Sequence, residues 1–178
     1  MRTEEQSFLG SLNDLQLVAE RVDIPVLRKD FLLTEYDVWE ARAAGADAVL
    51  LIACILELER LEVLISLAHH LQMSTLVEVH AREDLAKALV AGAVIVGINN
   101  RDLRTFQVDL AVTEQLRPLV PHNRLVVSES GVSTPADIQR LRLANVQAVL
   151  VGETLVRAED PRASLKELAR AGLLDIRC

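Results

Sequence analysis

The chain has 178 residues, enough for one domain, and 51% of them are hydrophobic although only 3% are aromatic. Its formal net charge of −7 comes with scattered lysines and arginines, which argues against a nucleic-acid partner. The acidic, polar start does not suggest a signal peptide, and the longest apolar run, Ala48–Leu56, is too short to span a bilayer, so we expect a cytoplasmic protein with no membrane partner.

Six short runs rich in Val, Ile and Leu predict strands that are buried on both faces. In chain order they are Ile24–Leu27, Ala48–Ala53, Thr75–Val79, Val94–Ile98, Leu125–Val127 and Ala148–Val151. The segments between them have apolar residues at helical spacing, which predicts about seven helices, including an opening one near Leu12–Val22. Alternation of strands and helices at this spacing predicts a parallel sheet.

The predicted helix ends repeat along the chain. Gly45, Gly92 and Asn145 each stand just before a strand, where a helix would end in a left-handed residue. Thr34 is placed to cap the helix that follows it, and Pro135 stands in the first turn of another, where a missing N–H is harmless. These joins indicate an internal repeat of a strand–helix unit.

Both an open sheet and a closed barrel are compatible with this repeat. A dinucleotide-binding sheet requires a G-x-G-x-x-G motif after its first strand, and the sequence contains none. Polar residues end four of the predicted strands, as active-site residues of barrels do. They are Lys29, Glu78, Asn99 and the pair Glu129 and Ser130. We therefore predict a barrel with these residues at one mouth.

Three of these polar positions suggest chemistry. A lysine at the end of a buried strand can serve as a general acid, although Lys29 could instead form an ion pair with Asp30 at the rim. Glu78 interrupts an apolar strand, where a carboxylate needs a cationic partner or a catalytic role. Asn99 and Arg101 could hold a substrate hydroxyl and a carboxylate.

The loops after the last two strands resemble a phosphate site. Ser128–Val132 and Val151–Thr154 contain glycines, and the second opens a short helical turn, so both offer backbone N–H groups. Two ordinary glycine turns would give the same pattern, and that alternative stays open. No metal or cofactor site is predicted: His69, His70, His80 and His122 show no ligand spacing, Cys54 is expected to be a small buried residue, and Trp39 is expected to pack within its helix.

Six segments closely resemble indole-3-glycerol phosphate synthases, in their order and spacing. They are Pro25–Phe31, Ala46–Ile52, Leu76–His80, Gly97–Leu103, Ser128–Val132 and Val149–Arg157. The resemblance implies a (βα)8 (TIM) barrel of the ribulose-phosphate-binding type, here a single domain over residues 1–178 truncated to about strands 3–8. It also implies a carboxy-lyase of tryptophan biosynthesis that needs no cofactor. The reaction closes the ring of 1-(2-carboxyphenylamino)-1-deoxyribulose 5-phosphate to indole-3-glycerol phosphate, releasing carbon dioxide and water.

The resemblance also implies roles for individual residues. Lys29 is the expected general acid, Glu78 stabilises a developing cation or moves protons, and Asn99 orients a hydroxyl. Glu129 and Ser130 line the same mouth as catalytic residues. The expected anthranilate pocket and the phosphate site comprise the following residues: Phe8, Phe31, Leu51, Arg101 and Leu103 in the first, and Gly131, Gly152 and Glu153 in the second.

The chain departs from the family pattern at its start. Its residues Thr3–Ser11 resemble a segment that follows the second strand in the family, and the chain starts inside that segment. The first two strands of the family are therefore expected to be absent. One explanation is a fragment or misplaced start, another is a truncated paralogue acting as a phosphate-binding or assembly protein, and a third is closure by self-association. If the chain is a fragment, the missing amino-terminal segment could complement it.

Overall fold

The computed structural model describes residues 10–172, which divide into two compact units at residues 96 and 97. Within each unit parallel strands alternate with helices. Of the first unit this structure covers residues 10–96, and of the second residues 97–172. Whether the two form a single domain, as the sequence suggests, stays a prediction.

The first unit contains four helices and three complete strands in its described part. In chain order these are α1 (Leu12–Ala19), β1 (Leu27–Arg28), α2 (Glu35–Ala43), β2 (Ala48–Ile52), α3 (Leu58–His70), β3 (Ser74–Val79) and α4 (Arg82–Val90). The strands lie in the order β1-β2-β3 and all run parallel, with Ala48 of β2 opposite Leu27 of β1 and Ser74 of β3. This part therefore repeats the predicted strand–helix unit.

β4 (Ile95–Asn99) begins in the first unit and ends in the second. The second unit continues with α5 (Ala111–Leu116), β5 (Leu125–Glu129), α6 (Pro135–Leu143), β6 (Ala148–Leu150), α7 (Glu153–Arg157) and α8 (Pro161–Gly172). β5 and β6 are parallel, with Val127 opposite Ala148. Its core comprises Leu110, Val132, Ile138, Leu141 and Leu168.

Helix boundaries follow the predicted local chemistry. Thr34 and Thr134 are N-caps, and each forms a capping box with an aspartate three residues on. Gly45, Gly92 and Asn145 have φ values of 87°, 87° and 58°, which confirms the left-handed ends. These joins send each helix directly back into the next strand.

The predicted first strand, Ile24–Leu27, was wrong in its bounds. β1 comprises only Leu27 and Arg28, and Ile24 is 71% exposed. Pro25 has no N–H to donate, and the N–H of Val26 donates to the Asp47 carboxylate at 2.8 Å rather than to a strand. The strand therefore starts at Leu27, three residues after the predicted start at Ile24.

Two further expectations were wrong. Cys54 is exposed, because the chain leaves the sheet after Ile52 and turns through the 3₁₀ segment Ala53–Ile55. Trp39 is also exposed, since Val38 and Ala41 form the buried face of α2. In both places an apolar residue follows the sequence pattern but points away from the core.

Eight helices lie within residues 10–172, against about seven predicted, because the short helix α7 precedes α8. α1 ends at Ala19, three residues before the predicted end at Val22. Across this described part, no helix combines the length and the apolar character that crossing a membrane requires.

Candidate active site

Lys29 and Glu78 form an ion pair in the first unit. Lys29 directly follows β1, and Glu78 is the penultimate residue of β3, so both stand at the carboxyl ends of parallel strands. The Lys29 Nζ lies 3.2 Å from Oε2 of Glu78, whose side chain is only 2% exposed, whereas 19% of the Lys29 side chain is exposed. A cation that solvent can reach therefore sits on a buried carboxylate.

His80 lies on the other side of the same carboxylate. Its Nε2 is 3.3 Å from Oε1 of Glu78, so the two oxygens of Glu78 face a lysine and a histidine. The sequence interpretation found no ligand spacing for His80, assigned it no role and missed this contact. The available signal was its position two residues after Glu78, which places both side chains on the same side of the extended chain.

The apolar residues predicted for the anthranilate end differ in burial. Leu51 in β2 is fully buried, whereas Phe31 is 49% exposed and Leu103 is 44% exposed. Phe31 and Leu51 belong to the first unit and Leu103 to the second. Phe8 lies outside the described residues.

Asn99 and Ser130 meet in the second unit. The Ser130 hydroxyl donates to Oδ1 of Asn99 at 2.9 Å, and the backbone N–H of Arg101 donates to the same oxygen at 3.0 Å. Glu129, the last residue of β5, is buried at 1% exposure. The structure thus joins the ends of β4 and β5 through the predicted side chains.

Asn100 holds this arrangement in place, a role that the sequence interpretation did not assign. Its amide nitrogen donates to Oγ of Ser128 and to the carbonyl oxygens of Glu129 and Ser130, at 2.9 to 3.0 Å. Its oxygen accepts from the hydroxyl of Thr113 at 2.7 Å. A buried amide with all these partners fixes the loop that carries Ser130.

The backbone after β5 takes two successive left-handed residues. Ser130 has φ 63° and Gly131 has φ 85°. An added Cβ at Gly131 would lie 2.5 Å from Cγ1 of Val108, so glycine is required for space as well as for conformation. Turns of this kind point consecutive N–H groups outward and can form a concave anion site.

Arg101 and Glu153 form a second ion pair. Nη2 of Arg101 lies 2.7 Å from Oε2 of Glu153, and Nη2 of Arg157 lies 3.1 Å from the other oxygen. Gly152 and Glu153 are exposed at the start of α7. The Glu153 side chain is therefore held by arginines, and its backbone N–H opens the helix.

The fold is shared with solved barrels of low sequence identity. A 3-hexulose-6-phosphate synthase from Salmonella typhimurium matches with a TM-score of 0.81 at 15% identity, over 96% of this chain and 84% of that one. A structure titled KGPDC from Streptococcus mutans matches with a TM-score of 0.73 at 14% identity, over the same shares. The protein thus has the fold of a (βα) barrel, reduced to about strands 3–8.

Sequence relatives narrow this class to one family. The family model for indole-3-glycerol phosphate synthase matches residues 1–168. A synthase of that name from Kineococcus radiotolerans is 52% identical over 170 residues, and one from Dehalococcoides mccartyi is 53% identical over 169. These matches cover 96% and 93% of this chain but 62% and 65% of the relatives, so the chain spans less than two thirds of their length. The chain belongs to the indole-3-glycerol phosphate synthase family.

Proposed function

We propose that this chain carries the catalytic acid of an indole-3-glycerol phosphate synthase of tryptophan biosynthesis. The substrate is 1-(2-carboxyphenylamino)-1-deoxyribulose 5-phosphate. The observation that carries the proposal is the ion pair of 3.2 Å between Lys29 and the buried Glu78, at two strand ends, in a member of this family. A lysine that solvent can reach and that a buried carboxylate positions at a strand end is placed to act as a general acid.

In the first step Lys29 donates its proton to the ribulose carbonyl oxygen while the aryl carbon attacks the carbonyl carbon. The aryl carboxylate then leaves as carbon dioxide, and its bonding electrons restore the aromatic ring. The hydroxyl formed in the first step then leaves as water after protonation, and loss of a proton from the adjacent methylene carbon forms the double bond of the indole. The anionic Glu78 stabilises the cation that develops on the ring nitrogen and helps to move these protons.

Further residues are proposed to bind the rest of the substrate. Asn99 orients a hydroxyl, and Glu129 and Ser130 act with it. Arg101 contacts the anthranilate carboxylate, and Phe31, Leu51 and Leu103 contact its ring, together with Phe8. The backbone N–H groups of Gly131, Gly152 and Glu153 bind the phosphate. Since the proposed substrate is a phosphorylated metabolite, we also propose that the chain acts in the cytoplasm.

The test is a fluorescence assay for indole-3-glycerol phosphate with Lys29→Ala and Glu78→Gln. We expect kcat to fall at least about a hundredfold in Lys29→Ala, since general acid catalysis contributes 10²–10⁴-fold. Lys166→Ala is the matched control, because Lys166 is exposed on α8 and should keep full activity.

Circular dichroism and urea titration would show that each variant is folded. Turnover that persists in folded Lys29→Ala would overturn the assignment of the acid. No turnover from the folded parent chain, either alone or together with the part of the Kineococcus radiotolerans relative that lies outside its match, would overturn the proposal.

A further inference from the structure

Three side chains of metal-binding type meet beside the proposed acid pair, outside the residues that the reaction uses. The donor atoms of Cys54, His80 and Asp84 all lie within 4.8 Å of one another. In residues 10–172 this is the one group of three His, Cys, Asp or Glu side chains that comes so close. They follow β2, follow β3 and lie in the first turn of α4, respectively, so no linear motif reveals them.

Each member is fixed in place by backbone contacts. Lys87 donates hydrogen bonds of 2.9 Å to the carbonyl oxygens of Ala53 and Leu56, which holds the turn that presents Cys54. The backbone N–H of His80 donates to Oδ2 of Asp84 at 3.1 Å. A preformed set of donors loses little conformational freedom when a cation binds.

The surroundings of His80 resemble those of a metal ligand. Both ring nitrogens are shielded from solvent, and neither makes a hydrogen bond with a described group. Nε2 lies 3.3 Å from Oε1 of Glu78. A histidine that binds a metal commonly directs its other ring nitrogen to a carboxylate, which orients the ring. Here the Glu78 carboxylate lies on the Nε2 side of the ring, close enough to take that position if a cation binds at Nδ1.

We propose that Cys54, His80 and Asp84 bind one zinc-type divalent cation, with solvent completing a four-coordinate site. A thiolate and an imidazole select Zn²⁺ over Mg²⁺ or Ca²⁺, and three protein ligands with one open position are common for zinc. The Asp84 carboxylate belongs to the site and the Glu78 carboxylate lies 3.3 Å from His80, so negative charge close to the three ligands favours a cation.

A bound cation would also act on the proposed reaction. It would sit one side chain away from Glu78, whose other oxygen contacts Lys29, and would so change the charge beside the proposed acid. This consequence depends on the proposed function, whereas metal binding itself does not. The binding test below therefore succeeds or fails independently of turnover.

The test is titration of the untagged 178-residue chain with Co²⁺, followed by the thiolate-to-cobalt charge-transfer absorption, and with Zn²⁺ by calorimetry. We expect one Co²⁺ per chain with the thiolate band. The band should be absent in Cys54→Ser, and the Kd should rise at least about tenfold in Asp84→Asn, which keeps the thiol.

Cys178→Ser is the matched control, since it removes the other cysteine of the chain and should keep the band and the Kd. Circular dichroism checks that the variants fold, and Asp84→Asn keeps the test sharp if serine at position 54 perturbs the turn. A parent chain without the band, a band that survives in Cys54→Ser, or one that is lost in Cys178→Ser would each overturn the proposal.

Discussion

Replacing a glycine can destabilise the fold through backbone strain or through a steric clash, and a comparison of Gly131 with Gly92 distinguishes the two effects. Both have positive φ values, 85° and 87°, but an added Cβ meets Val108 Cγ1 at 2.5 Å at Gly131 and nothing within 4 Å at Gly92. We expect Gly92→Ala to lower the free energy of unfolding by about 1–2 kcal/mol from backbone strain. Gly131→Ala should lose a further ~1–3 kcal/mol from overpacking.

Urea denaturation of both variants measures the difference. The double variant Val108→Ala/Gly131→Ala should recover the overpacking part, because it removes the methyl group that the new Cβ would meet. Equal losses in Gly92→Ala and Gly131→Ala, or no recovery in the double variant, would contradict the steric interpretation.

Residue types at the site were easier to predict than their partners. A lysine and a glutamate at strand ends identified Lys29 and Glu78, but the sequence left Asp30 open as the partner of Lys29. Which charges meet depends on register and side-chain direction, and the structure brings Lys29 to Glu78 at 3.2 Å. His80 was missed because only ligand spacing was tested, whereas the signal for its contact with Glu78 was the two-residue alternation along the strand.

At the level of elements, α6 depends on a capping box that is sensitive to pH. Thr134 accepts a hydrogen bond from the N–H of Asp137, whose carboxylate accepts from the N–H groups of Ser133 and Thr134. Burial raises the pKa of Asp137, but these hydrogen bonds and those from the two hydroxyls together lower it by more than burial raises it. The net shift of the pKa is therefore downward. The folded state thus favours the ionised carboxylate.

A lowered pKa in the folded state stabilises the protein above the unfolded pKa of about 3.9, and this stability is lost as pH falls through the folded pKa. We expect Asp137→Asn to lower the free energy of unfolding by about 1 kcal/mol at pH 7. The difference from the parent should shrink below about pH 4. Urea titrations across this range measure it, with exposed Glu167→Gln on α8 as the control. A difference that stays constant with pH would contradict the argument.

The bounds of a strand could be predicted from the sequence where its apolar run coincides with its buried residues. The bounds of β2, β3 and β6 differ by at most one residue from those read from the sequence. β2 and β6 are continuous apolar runs that follow helix ends, and β3 is mainly apolar from Leu76 to Val79 although Glu78 interrupts it. β5 extends two residues further, to Glu129, because its last positions are polar and do not continue the apolar pattern. β1 starts later than predicted because Pro25 has no N–H and the N–H of Val26 donates to the Asp47 side chain. The hydrophobic pattern contains no signal for either effect.

At the scale of the whole molecule, strand β6 of the second unit is only partly buried. Within this unit β6 pairs with β5 alone, Ala148 is exposed, and Val149 and Leu150 are half-buried. By contrast, four of the five residues of β2 in the first unit are buried. An edge with free backbone groups and apolar side chains favours pairing with another strand. The partner expected from the family pattern is the segment with the first two strands.

We therefore expect the activity to depend on that segment. Co-expression with the part of the Kineococcus radiotolerans relative that lies outside its match should raise turnover at least about tenfold and give a defined complex by light scattering, because the added strands cover apolar surface. The same segment with the Lys29→Ala chain should give no turnover, which assigns the chemistry to this chain. A parent chain that turns over equally fast without the segment, as a defined dimer, would contradict this expectation and favour closure by self-association.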